Sequence, residues 1–221
     1  MEGQRLVNVI FDLDGTLIDS APDIRFAVNK VLEENGAAPL DLPTVIGFIG
    51  NGTSVLMDKV IAARDLDRER HGALLERLMD FYEGATSRTT LYPGCLDALD
   101  TLREAGHRLG LCTNKPLAPA RDVLAHFDLA RRMDTVYGGD SLPQKKPDPA
   151  PLLAAMRDLG GGPTLYVGDS EVDGETAERA GLAFALFTEG YRHVPVAEIP
   201  HAHAFDHFDA LPDIVAGLRA G

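Results

Sequence analysis

The sequence predicts an α/β protein: a doubly wound, Rossmann-like parallel sheet interrupted once by a small α-helical insertion. Three observations carry this. Five short apolar runs have the composition of strands buried on both faces. Helical patterns separate most of them, the alternation that builds parallel sheets covered on both sides. Residues 20–87 break the alternation, reading as successive helices with no convincing strand.

The expected strands are 6–11 (LVNVIF), 107–113 (HRLGLCT), 134–138 (DTVYG), 164–169 (TLYVGD) and 182–187 (LAFALF). Leu96, Leu99 and Leu102 recur at helical spacing before Gly106, and 118–127, 149–159 and 173–180 also read as helices. Within the insertion, Ser20 is placed to cap a first helix, with Pro22 and Asp23 in its first turn. Ile24, Ala27, Val28, Val31 and Leu32 form its apolar stripe. Further helices fit 52–63 and 67–86, the last burying Leu74, Leu75, Leu78, Met79 and Tyr82. The division expected is a core of 1–19 and 88–221 and a helical domain of 20–87.

Bulk properties narrow the partners. The 221 residues are 45% hydrophobic and 25% charged, an ordinary globular mixture. A net charge of -13 opposes nucleic acid and anionic lipid as partners, because such a surface repels polyanions. No apolar stretch reaches the roughly 18 residues of a membrane span, and the start MEGQRLV lacks a secretory pattern, so a cytoplasmic monomer or homodimer is expected. Cys95 and Cys112 have no CxxC partner and read as small buried residues.

Ligands of open parallel sheets bind beyond the carboxyl ends of the strands. The residues expected there are Asp12 and Asp14, then Thr113, Asn114 and Lys115, then Asp169, Ser170 and Asp173, with Lys145 and Lys146 in a nearby loop. Three clustered carboxylates repel one another unless a cation intervenes, and carboxylate oxygens suit Mg²⁺. Thr113 and Asn114 offer a hydroxyl, an amide and backbone N–H groups to an anion, and Lys146 adds positive charge. A phosphoryl group satisfies metal, amides and lysine together.

Four ordered motifs, DLDGTLIDS (12–20), TNK (113–115), KPDP (146–149) and GDSEVD (168–173), resemble those of the haloacid dehalogenase superfamily. That resemblance implies Asp12 as a nucleophile forming an aspartyl phosphate and Asp14 as general acid and base. It implies Thr113, Asn114 and Lys146 as phosphate-binding residues. Mg²⁺ would be held by Asp12, the Asp14 carbonyl and Asp169, with Asp173 near the metal or orienting Lys146. The insertion is similar to that superfamily's helical cap, which closes over the site and selects the leaving group. GFIGNGTSVLM (47–57), LYPGC (91–95), KKPDPAPLL (145–153) and GY (190–191) resemble the phosphoglycolate phosphatase branch. The resemblance thus implies hydrolysis of a small phosphate ester, 2-phosphoglycolate, to glycolate and phosphate.

Within that superfamily Asp14 favours phosphate over haloacid chemistry, because it can deliver a proton to a leaving alkoxide. Alternatives remain open at this stage: a pyrophosphatase or another small-ester phosphatase, a sugar phosphomutase, or a non-enzymatic phosphate-binding regulatory module. Gly50, Asn51 and Gly52 read equally as substrate contacts or as a turn between helices. Lys59, Arg25 and Arg64 are candidates for the glycolate carboxylate. Asp19 reads as a hinge or cap, Glu171 and Glu175 as exposed acids, and His201, His203 and His207 as part of a solvated loop before a final helix.

Overall fold

The structure, a computed structural model, describes residues 6–83 and 85–218. The opening MEGQR, and Gly84 inside the helix expected over 67–86, lie outside the described residues. In chain order, β1 (Asn8–Phe11) and the short β2 (Ile18–Asp19) lead into α1 (Ala21–Glu34), α2 (Leu42–Ile46), α3 (Thr53–Arg64) and α4 (His71–Tyr82). The chain then returns through β3 (Thr90–Leu91) to α5 (Cys95–Glu104), β4 (Arg108–Cys112), α6 (Leu117–His126) and β5 (Thr135–Tyr137). It closes with α7 (Ala150–Asp158), β6 (Thr164–Gly168), α8 (Glu171–Ala180), β7 (Ala183–Phe187), β8 (His203–Phe205) and α9 (Leu211–Gly217).

Six strands form one sheet in the order β5-β4-β1-β6-β7-β8, every neighbouring pair parallel. β1 is therefore central, with β4 and β6 hydrogen-bonded on either side. Strand side chains alternate between faces, and the two faces bury different clusters. Val9 and Phe11 join Leu109, Leu111, Leu165 and Val167 against Leu99 and Leu102 of α5 and Leu211 and Val215 of α9. Ile10 faces the other way, with Tyr166 and Leu186, against Leu152 and Ala155 of α7 and Ala177 of α8. The central strand contains nothing but buried residues because helices cover it on both sides.

The helical segment buries a separate cluster, joined by Tyr191 from the chain after β7. Ala27, Val28 and Val31 of α1 pack with Met57, Val60 and Ile61 of α3 and Leu74 and Leu78 of α4. Each fully buried side chain of this size contributes about 1.5–3 kcal/mol relative to exposure. The two chain crossings that connect the segment to the sheet pair antiparallel as β2 and β3. No helix of the described residues is long and apolar enough to cross a membrane.

Several expectations need correction. The stretch around His203 is not only loop: residues 203–205 extend the sheet as a sixth strand beside β7. α2 was not expected, although Asp41 accepts from Thr44 N at 2.9 Å and Pro43 stands in its first turn. The helix expected over 67–86 is a 3₁₀ turn, Arg68–Arg70, followed by α4. Ser20 does not cap α1 with its side chain. The first helical N–H, Ala21 N, instead donates to the Tyr191 hydroxyl at 2.9 Å. Asp23 turns inward and accepts from Arg88 N at 2.9 Å and Thr89 Oγ1 at 2.7 Å, joining α1 to the returning chain.

Candidate active site

β1, β4 and β6 end on Phe11, Cys112 and Gly168, so Asp12, Thr113 and Asp169 emerge side by side at the carboxyl edge of the sheet. This edge lies where successive connections run outward in opposite directions from β1, the place where open α/β sheets take ligands. Asp12, Asp169 and Asp173 each bring a carboxylate oxygen within 4.8 Å of the others, the one such trio among the described residues.

Lys146 reaches this acidic cluster, with Nζ 2.9 Å from Asp12 Oδ1, 2.7 Å from Asp173 Oδ1 and 2.8 Å from the Tyr166 hydroxyl. Its neighbour Lys145 is exposed and lies 3.4 Å from the Asn51 carbonyl. Burial opposes the Lys146 charge, but Asp12 and Asp173 more than offset it and push the ammonium above the usual lysine range. Asp173 is saturated: besides Lys146 and Tyr166, it accepts from Ser170 N at 3.1 Å and Ser170 Oγ at 2.7 Å. It orients Lys146 and the start of α8.

Asp169 Oδ1 accepts from Thr16 Oγ1 at 2.7 Å and Oδ2 from Tyr191 N at 2.6 Å. Gly15 permits this packing. Its φ is +87°, and a Cβ there would lie 2.4 Å from Asp169 Oδ2, so a side chain is excluded by both backbone and space.

The donor set fits a divalent cation. Burial, followed by the charges of Asp173 and Asp12, drives Asp169 well above the ordinary carboxylate range. Burial likewise raises Asp12 to about 6, against the opposing pull of Lys146. Asp12 Oδ1, although an ion-pair neighbour of Lys146, has no hydrogen-bond partner. Three buried carboxylates face one buried lysine, and hard oxygen donors with residual negative charge match Mg²⁺ chemistry.

Asp14 points away from this cluster. Its Oδ1 accepts from Ser20 Oγ at 2.6 Å and lies 3.1 Å from Lys115 Nζ. Ser20, expected as a helix cap, thus serves Asp14. Lys115 also donates to the Tyr82 hydroxyl of α4 at 2.6 Å. Asp12, Asp14, Thr113, Asn114, Lys115 and Tyr82 line a cavity of about 40 Å³. The helical segment roofs it with Ile24, Ile49, Leu56 and Leu78, together with Gly50, Gly52 and Thr53.

The glycine stretch is the turn that the sequence allowed, and part of it faces the cavity. It joins α2 to α3, and Gly50 and Gly52 line the cavity while Asn51 does not. Gly52 has φ +87°, and its Cβ position lies 3.3 Å from the Asn114 carbonyl. The Asn114 side chain is committed to the backbone. Both amide donations go to backbone carbonyls, Gly50 O at 2.9 Å and Lys146 O at 3.0 Å, leaving only an acceptor, Oδ1, buried and unpartnered. This side chain ties the glycine turn to the Lys146 loop.

Lys59, Arg25 and Arg64 are not in the cavity lining. Lys59 donates to Gly47 O, Arg64 to the carbonyls of Ala38 and Pro39, and Arg25 is exposed. Among the histidines, His201 contacts Ile199 O and His207 pairs with Asp209. Asp19 accepts from the Tyr191 hydroxyl at 2.5 Å, and Glu171 pairs with His193 at 2.6 Å. Cys95 and Cys112 are buried free thiols, pushed up to about 12 by burial.

Sequence reasoning missed Tyr82 as a site residue, along with Tyr166 and Tyr191. Tyr82 and Tyr166 had read as core and Tyr191 as part of the GY motif, and each places its hydroxyl in a polar network.

Residues 9–187 match the family described as haloacid dehalogenase-like hydrolase. The chain is 54% identical over 215 residues to a phosphoglycolate phosphatase of Cereibacter sphaeroides, covering 96% of this chain and 99% of that one. It is 45% identical to a phosphoglycolate phosphatase of Rhodobacter capsulatus, covering 95% and 96% of the two chains. A crystal structure of a predicted phosphoglycolate phosphatase from Haemophilus somnus superposes with a TM-score of 0.89 at 30% identity, covering 95% and 97%.

Proposed function

The chain belongs to the haloacid dehalogenase-like hydrolase family, and from that premise we propose that this phosphoric monoester hydrolase converts 2-phosphoglycolate to glycolate and phosphate. The observation that carries the chemistry is the division of two carboxylates. Asp12 sits with Lys146 in the acidic cluster, whereas Asp14 faces the helical roof. The substrate rests on the similarity to phosphoglycolate phosphatases along nearly the whole chain.

In this reading Asp12 attacks phosphorus and forms an aspartyl phosphate, while Asp14 protonates the leaving alkoxide. Asp14 then takes a proton from the water that attacks the intermediate, and phosphate leaves. Lys146, fixed by Asp173 and Tyr166, neutralises the transferring group without reorganising. The Thr113 hydroxyl and nearby backbone complete the phosphate cradle. Asp12, Asp169 and the Asp14 carbonyl would hold Mg²⁺, which when bound supplies charge neutralisation at the phosphoryl oxygens.

Residues 20–87 act as a cap that moves on the β2–β3 ribbon and excludes water during the attack. A cavity of this size under an apolar roof favours a small leaving group over a sugar or a folded phosphoprotein. A cytoplasmic setting accords with the acidic composition and buried free thiols.

The test is a Mg²⁺-dependent phosphate-release screen over small esters that includes 2-phosphoglycolate and pyrophosphate, with Asp12→Asn as control. Preference for 2-phosphoglycolate is expected. Comparable rates on many unrelated esters would remove the substrate assignment, and isomerised glucose phosphate without free phosphate would remove the hydrolase reading.

A further inference from the structure

Two buried lysines of the site pair with different carboxyl groups. Lys146 contacts Asp12 and so belongs to the phosphoryl end. Lys115 contacts Asp14, the residue assigned to the leaving-group oxygen, and is 6% exposed. Among the lining residues Lys115 is the one cation, set against the apolar side chains Ile24, Ile49, Leu56 and Leu78.

A buried ammonium is costly unless its charge is answered. Here a shared carboxylate and a phenol engage two of its three N–H groups: Asp14 at 3.1 and 3.4 Å, and Tyr82 at 2.6 Å. The Tyr82 phenol is neutral, its pKa raised to about 12 by burial and by Asp14, so it answers no charge. Asp14 is thus the one carboxyl group paired with Lys115 in a place where the leaving group must also fit.

We propose that Lys115 is the specificity-determining residue for the leaving group, receiving the carboxylate of the substrate while Tyr82 holds the ammonium against the cap. The inference rests on the reading of the substrate as 2-phosphoglycolate. In that ester one methylene separates the ester oxygen from the carboxyl carbon. An ammonium adjacent to Asp14 is therefore adjacent to both ends of the leaving group. The arrangement also makes recognition depend on closure, since Lys115 comes from the loop after β4 and Tyr82 from α4. An ester whose leaving group is neutral offers Lys115 no carboxylate, and a site built around a buried charge discriminates against it.

The experiment compares kcat/KM for 2-phosphoglycolate with that for 2-hydroxyethyl phosphate, which replaces the carboxylate by a neutral alcohol. Wild-type enzyme in Mg²⁺ is set against Lys115→Met and Lys115→Arg. The ratio of the two values is expected to fall by roughly 30-fold or more in Lys115→Met, and Lys115→Arg to recover part of it. Inhibition by the product glycolate should weaken in parallel.

If Lys115→Met does not fold, Lys115→Gln carries the same expectation, because it keeps a donor for Tyr82 and loses the charge. Equal losses on both esters would overturn the proposal and leave Lys115 as a strut between Asp14 and the cap. A wild-type preference that survives in Lys115→Met overturns this inference alone. A wild-type enzyme that hydrolyses esters without preferring the carboxylate would instead remove the substrate reading, and this inference with it.

Discussion

The carboxyl edge of the sheet and the underside of the cap face each other across one cavity, yet they are built from opposite materials. At the sheet edge Asp12, Asp169, Asp173 and Lys146 are all buried and interlocked. Across from them the cap presents Ile24, Ile49, Leu56 and Leu78, a glycine turn and one phenol. Phosphoryl transfer needs charges fixed before the reaction, and a central parallel strand fixes them. Excluding water and selecting a leaving group need an apolar lid, and in the proposed reading the helical unit, which buries its apolar cluster together with Tyr191, supplies it.

This contrast can be broken most severely at the sheet. Asp12→Asn removes the nucleophile and should lower kcat by about 10⁴-fold or more in phosphate-release assays, with the fold intact by circular dichroism. Chelation of the divalent cation should abolish turnover and Mg²⁺ should restore it, while thermal unfolding stays cooperative. Asp14→Asn should cost roughly 10²–10⁴-fold on 2-phosphoglycolate and much less on p-nitrophenyl phosphate, whose leaving group needs no proton. Equal losses on both esters would mean that Asp14 is not the acid.

A change in the cap should sharpen the contrast from the other side. Leu78, 1% exposed in the cap's own cluster, should cost about 2–4 kcal/mol when replaced by Ala. Local hydrogen exchange should rise in 21–82 before it rises in the sheet.

The smallest expected effect lies at the rim, where His193 pairs with Glu171 at 2.6 Å and reaches toward Ile46 O of the cap. Burial pushes Glu171 up, but the side-chain and backbone hydrogen bonds it accepts, chiefly from His193, together with the His193 charge bring it down to about 2, and the hydrogen bond to Glu171 raises His193 above the usual histidine range. The histidine contribution is complete below its unfolded pKa of about 6.5 and fades as pH rises through the raised folded value. The glutamate contribution is complete above its unfolded pKa of about 4.3 and fades as pH falls toward about 2. The pair therefore stabilises most between about pH 4.3 and 6.5. Because both groups are partly exposed, His193→Gln should cost below about 1 kcal/mol at pH 5.5 and less at pH 9, read from melting temperatures.

The sheet was more legible in sequence than the cap's contacts with it. Strands such as 164–168 announce themselves as continuous apolar runs, and Asp12 and Asp169 stand out because acids end those runs. β8 escaped because three residues, His203, Ala204 and Phe205, at a sheet edge alternate too briefly to separate from a polar loop. Ser20 looks like a cap by local pattern, but its hydroxyl goes to Asp14, six residues back. The bond from Lys115 to Tyr82 joins positions 33 residues apart, and nothing in helical periodicity distinguishes a tyrosine buried for its ring from one whose hydroxyl meets an ammonium. Tyr191 carries the same lesson, since its N–H holds Asp169 and its hydroxyl holds Asp19 and α1.

The central claim is that Asp12, and not water, makes the first attack on phosphorus. Stereochemistry tests it most directly, using a thiophosphate analogue of 2-phosphoglycolate made chiral at phosphorus with heavy oxygen isotopes and hydrolysed in isotopically labelled water. Two successive in-line displacements predict net retention of configuration in the released thiophosphate. Net inversion would mean a single attack by water and would contradict the account.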